Sequence, residues 1–170
     1  MTKMLILRFF HIVAGVFWVG GSLFAARFIM PALKAAGPAA GPVLAELGKR
    51  RIPVAMMGAA LVNVTSGIWL MMIDSGGAPG VWMRSGMGRT IGFGGALAIL
   101  AVILGMTLVM PANIRMARIS AAAQKRGGPP TAEEALQLER LQARSSLTAS
   151  IATGLLFLAT TAMAVARYVL

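Results

Sequence analysis

The stretch Arg8-Phe9-Phe10-His11-Ile12-Val13-Ala14-Gly15-Val16-Phe17-Trp18-Val19-Gly20-Gly21-Ser22 decides the class of fold, because it lies inside an apolar run from about Met4 to Met30. A helix of ~20 apolar residues crosses the hydrocarbon core of a bilayer. This run is longer than that, and too long for the core of a signal peptide, so it is expected to remain as the first of several spans. It also holds the only histidine of a chain with no cysteine. On a helix His11, Gly15, Trp18, Ser22 and Ala25 follow one another at intervals of four, three, four and three, so they line one face. Gly15, one turn from His11, leaves room for a flat ligand or another backbone, and Arg8, one turn earlier, could pair with a carboxylate or a lipid phosphate. An ionisable side chain in an apolar span is a functional candidate by default, although a lone histidine can also serve only to hydrogen-bond a neighbouring helix.

Outward from that stretch, composition agrees. Of 170 residues, 58% are apolar and 12% charged, and the mean hydropathy is +0.78; a soluble domain of ordinary make-up lies far from these values. Four stretches are long enough to span, at about residues 4–30, 53–73, 88–110 and 147–170. Together they make residues 1–170 one transmembrane domain, an all-α integral membrane four-helix bundle. The lipid bilayer is the first partner. A net charge of +11 does not indicate nucleic acid here, because the basic residues gather at span ends, where anionic headgroups lie.

Those basic residues give an orientation. Eleven lie at or between spans one and two or between spans three and four; only Lys3, Arg8, Arg84, Arg89 and Arg167 fall on the other side. The positive-inside rule then puts both termini outside and His11 in the outer leaflet, in the inner (plasma) membrane of a bacterium. The inner loops carry Gly37-Pro38 and Gly41-Pro42, then Gly127-Gly128-Pro129-Pro130. After the first a short helix is expected over Val43–Arg51. After the second, Thr131 and Glu134 have the spacing of a capping box, so a helix should begin there and run without interruption into span four. Helical extensions on the cytoplasmic side are expected at spans three and four. Ile29-Met30-Pro31-Ala32 and Val109-Met110-Pro111-Ala112 match, as do Thr65-Ser66-Gly67-Ile68 and Ala152-Thr153-Gly154-Leu155, which suggests two hairpins of like topology.

Two cofactors suit the residue types. Haem b requires an axial ligand, room for a planar macrocycle and cations for its propionates; His11, Gly15 and Arg8 or Arg89 could provide these, and Asn63 is the polar side chain best placed to face a cavity, although a bond to a neighbouring helix is its first expected role. One histidine ligates one face of a haem, so the other ligand would be a methionine, solvent, nothing, or His11 of a second chain. Alternatively, copper would take His11 with Met71, Met72, Met83 and Met87 around the outer loop, since thioether and imidazole suit Cu(I); thirteen methionines dispersed through the chain make this grouping a weaker signal.

At His11-Ile12-Val13-Ala14-Gly15-Val16-Phe17-Trp18-Val19-Gly20, preceded by Arg8, the chain resembles the membrane domains of the copper-resistance D-like superfamily. The membrane part of the bacterial urate hydroxylases opens in a similar way. The shared pattern is His, three residues, Gly or a small residue, two residues, Trp, one residue, Gly. It covers span one, and the four-span layout loosely. The resemblance implies a membrane protein that binds haem b or takes part in copper handling, with His11 as ligand and Gly15 and Trp18 as its groove. The four-helix protoporphyrinogen oxidase family is also similar at this opening but carries a lysine in a later span, and here no lysine lies in spans two to four.

The function expected is therefore redox chemistry or electron transfer at a haem or copper held by His11, with a membrane oxidoreductase as one form of it. The alternative is a cofactor-free structural or accessory subunit, in a homodimer or a larger membrane complex. No hydrolytic triad or carboxylate pair is present in a span, and polar residues are too sparse for a transport path through the bundle.

Overall fold

The computed structural model describes residues 2–169, and Met1 and Leu170, the two ends of the expected domain, lie outside it. The described residues form helices and turns without a strand. Four helices are long and apolar enough to cross a membrane: α1 (Thr2–Ala36), α3 (Ile52–Asp74), α5 (Gly86–Lys125) and α6 (Ala132–Tyr168). Between them lie two shorter ones, α2 (Ala40–Lys49) and α4 (Pro79–Trp82). The architecture is consistent with a multi-pass helical membrane protein. α2 matches most of the short helix expected over Val43–Arg51, beginning three residues earlier from a 3₁₀ turn at Gly37–Ala39 and ending at Lys49, before a turn at Arg50 and Arg51.

The helices alternate in direction. α1 packs along α3, and α5 along α6, as two antiparallel hairpins; thinner seams from α1 to α6 and from α3 to α5 close the bundle. The core is built of small side chains. Trp18 and Leu156 are its only large buried hydrophobics among the described residues, surrounded by Ala60, Ala98, Ala101 and Ala159. Most other large apolar side chains face outward, Val16 at 69% and Leu5 at 67% exposure among them. In water such a surface would aggregate. In a bilayer it is the lipid-facing surface, and small residues let the backbones approach where no hydrophobic effect drives helices together.

Both Met-Pro matches have the same structural consequence. α1 widens into a π-helical turn over Ala25–Ile29, and α5 does so over Gly105–Val109. Met30 donates to the carbonyl of Ala25, and Met110 to that of Gly105. Proline has no N–H, and in α register its ring strikes the carbonyl four residues back; one wide turn just before Pro31 and Pro111 relieves that conflict while the helix goes on. The second match is not carried into the packing. Gly67 lies against His11, whereas nothing approaches Gly154 within 4 Å of where its Cβ would be.

α6 starts as its capping box requires. Thr131 Oγ1 accepts from Glu134 N at 3.3 Å, Glu134 Oε2 accepts from Thr131 N at 2.9 Å, and the helix runs without a break into the fourth apolar stretch. At 40 and 37 residues, α5 and α6 are ~60 and ~55 Å long at 1.5 Å per residue, nearly twice the hydrocarbon thickness.

Candidate functional site

His11 stands in the first third of α1, half-buried against α3. Its Nδ1 lies 2.8 Å from the backbone carbonyl of Asn63 and 3.3 Å from Ser66 Oγ. A carbonyl only accepts, so Nδ1 carries the proton, and in the neutral ring the lone pair is on Nε2. Ser66 Oγ directs its own proton to the carbonyls of Val62 and Asn63, which leaves the oxygen able to accept from Nδ1. The return bond is as short: Asn63 Nδ2 donates to the backbone carbonyl of His11 at 2.8 Å. Two helices are therefore joined through each other's side chain and main chain at one level.

Two glycines make this approach possible. A Cβ on Gly15 would lie 2.7 Å from Asn63 Nδ2, and one on Gly67 would lie 2.9 Å from His11 Cε1. Gly15 thus seats the Asn63 amide, and Gly67 seats the imidazole. No hydrogen bond to Nε2 is found among the described residues, and none of their fully buried side-chain polar atoms lacks a partner. Nε2 is accordingly the accessible nitrogen of the ring.

One end of the site is closed by charge. Arg8, one turn before His11, meets Asp74 at the last turn of α3, Nη2 to Oδ1 3.5 Å, with side-chain exposures of 51% and 20%. The sequence places Asn63, Gly67 and Asp74 four and seven residues apart, hence on one face of α3 facing α1. That spacing was the signal by which Ser66, Gly67 and Asp74 could have been added to His11, Arg8, Gly15 and Asn63 from sequence.

Trp18 lies elsewhere. It is 7% exposed and belongs to the small-residue core with Ala60, Ala98, Ala101, Leu156 and Ala159, where the hairpins meet. The methionines also separate by environment. Met71 and Met72 belong to the last turn of α3, Met83 follows α4 as its C-cap and Met87 lies in the first turn of α5. The Met83 thioether fills the space above Gly92, and Met163 fills that above Gly94. Among the described residues, no group of three or more His, Asp or Glu side chains is arranged to hold a metal ion.

The ring offers one imidazole nitrogen that a metal or haem iron could take, while the space beside Gly15 expected to admit a flat ligand is occupied by the Asn63 amide. A ligating histidine usually gives its second N–H to a carbonyl or carboxylate, which fixes the tautomer and aims the free nitrogen; Asn63 O does this for His11. No family model, curated protein or solved structure matches the chain.

Proposed function

We propose that this chain is a membrane redox protein in which His11 Nε2 ligates a haem b or, as the second candidate, a copper ion. The observation that supports it is the bond from His11 Nδ1 to Asn63 O, with Nε2 left accessible. Bound there, haem or copper would supply one-electron chemistry. The protein's contribution is to hold the ring in one tautomer, to exclude water by the bilayer and to set a cation, Arg8, partly neutralised by Asp74, at the site's edge. The orientation we infer has both termini outside, the site in the outer leaflet of a bacterial inner membrane, and the far ends of α5 and α6 in the cytoplasm, following the eleven basic residues at that end.

A second reading, a cofactor-free subunit of a larger membrane assembly or homodimer, draws on Gly20, Gly58, Gly95 and Gly105, where an added Cβ would meet nothing within 4 Å beyond its own helix backbone. Such places admit a helix from another chain. Optical spectra of the purified protein, oxidised and reduced, with metal analysis on the same sample, separate the readings. A Soret band lost in His11→Ala and kept in Gly20→Ala supports haem, and copper lost in the same variant supports the metal. A colourless, metal-free protein prepared from haem- and copper-supplemented membranes would leave the subunit reading.

A further inference from the structure

We propose that the groove between α5 and α6, beyond their apolar stretches, is a binding site for a phosphate group, carried by an anionic phospholipid headgroup or by a free phosphate compound. The groove has a volume of about 460 Å³ and is lined by Arg115, Arg118 and Ile119 of α5 and by Gln137, Arg140 and Leu141 of α6. Its level is set by register. Asn113 Oδ1 accepts from Ser145 Oγ at 3.2 Å, which pins the two helices just inside the groove. Arg115 and Arg118 then lie ~7 and ~12 Å beyond Met110, and Arg140 lies ~10 Å beyond Leu147, at 1.5 Å per residue. Arg115 thus lies at the depth of lipid headgroups, and Arg118 and Arg140 lie within a helical turn beyond it, a distance that a long side chain spans.

Positive charge is in excess there. Among the described residues the ion pairs are Arg8–Asp74, Lys49–Glu46, Arg50–Glu46 and Arg126–Glu134, and none involves the three arginines of the groove. Glu134 is held by Arg126, and Glu139, two residues from Gln137, faces the opposite side of α6. Glu133 and Glu134, four and three residues before Gln137, share the groove's side of the helix; with Glu134 taken up by Arg126, Glu133 sets one carboxylate against three guanidiniums. Three guanidiniums from two helices repel one another until an anion lies between them, and their planar forks match phosphate oxygens. Gln137 adds a neutral amide donor. Ile119 and Leu141, both half-buried, give the groove an apolar side of the kind that a glycerol backbone contacts.

The test uses the full chain purified from mixed vesicles of phosphatidylcholine and phosphatidylglycerol, with the phospholipid retained per protein measured by mass spectrometry. The groove variant Arg115→Gln/Arg118→Gln/Arg140→Gln is set against Lys34→Gln/Lys49→Gln/Arg50→Gln, which removes the same charge elsewhere on that end of the molecule. Wild type should retain phosphatidylglycerol selectively; each groove arginine removed should lower that retention about fivefold, and the control variant should match wild type. Competition by millimolar inorganic phosphate, with no lipid selectivity, would assign the site to a free phosphate compound. Equal retention in both variants, or neither lipid selectivity nor phosphate binding in wild type, would overturn the proposal.

Discussion

His11 and Asn63 are joined twice, each through the other's backbone: the ring donates to Asn63 O and the Asn63 amide donates to His11 O, both at 2.8 Å. Fifty-two residues apart in sequence, the two side chains fix the register of α1 against α3. Asn63→Leu removes one of these bonds, leaves the His11 carbonyl without its second donor and puts a branched side chain against Gly15. The expected loss is ~1–2 kcal/mol, the range of interhelical hydrogen bonds in bilayers plus a packing term. Unfolding in mixed micelles measures it, and a variant as stable as wild type would show that the Asn63 amide bond does not hold the helices.

Gly15→Ala and Gly20→Ala differ by five residues in one helix and should differ sharply in effect. The first places a methyl 2.7 Å from Asn63 Nδ2, whereas nothing lies within 4 Å of the second. A loss of ~1–3 kcal/mol is expected at Gly15, against a change within ~0.5 kcal/mol at Gly20. Gly88→Ala should be worse than either, because its Cβ would come 2.1 Å from the carbonyl oxygen of Trp82, which is backbone and has no side chain to swing away. The same unfolding assay ranks the three.

Trp18→Ala tests the junction of the hairpins. Trp18 and Leu156 are the large members of an otherwise alanine-built core, so truncation opens a cavity that the neighbouring alanines are too short to fill. A loss of ~3 kcal/mol is expected. Cysteine pairs introduced across α1 and α3 should still cross-link, while pairs across α1 and α6 should lose efficiency. Equal loss at both seams would place Trp18 within a hairpin instead of between the two.

Glu134 gives a pH dependence outside the membrane-spanning stretches. The Arg126 guanidinium, and after it the Thr131 N–H, hold its carboxyl below the ordinary 4.5. A carboxyl whose folded value lies below its unfolded one stabilises fully above 4.5, and the contribution fades as the pH falls through the folded value. Amide exchange in the first turn of α6 should therefore be slower in wild type than in Glu134→Gln at neutral pH, and the two should converge in acid. A difference that persists undiminished well below that range would assign the effect to the shape of the side chain and not to its charge.

Much of this architecture is local and hence legible in the chain. The length and apolarity of four stretches, the capping box at Thr131 and Glu134, and the two Met-Pro sites act within a helical turn or along one helix, where composition and spacing suffice. His11 could be singled out for the same reason: it is the one imidazole and lies in an apolar span. Its partners could be seen only as residue types. Asn63 reads as a polar side chain in a span, and Asp74 as an acid at a span end, and neither shows by itself which helix it meets.

The sequence by itself determined that the chain is helical and long enough to cross a membrane four times, because backbone groups in hydrocarbon must be satisfied within each helix. Tertiary structure decided which faces meet. It moved Trp18 from the His11 groove to the seam between hairpins, filled the space beside Gly15 with the Asn63 amide, and set Arg8 against Asp74. In a bilayer apolar faces are equally content against lipid or protein, so hydrophobic patterning does not select the pairing. Close approach at small residues and a few mutual hydrogen bonds select it, and these depend on two helices at once.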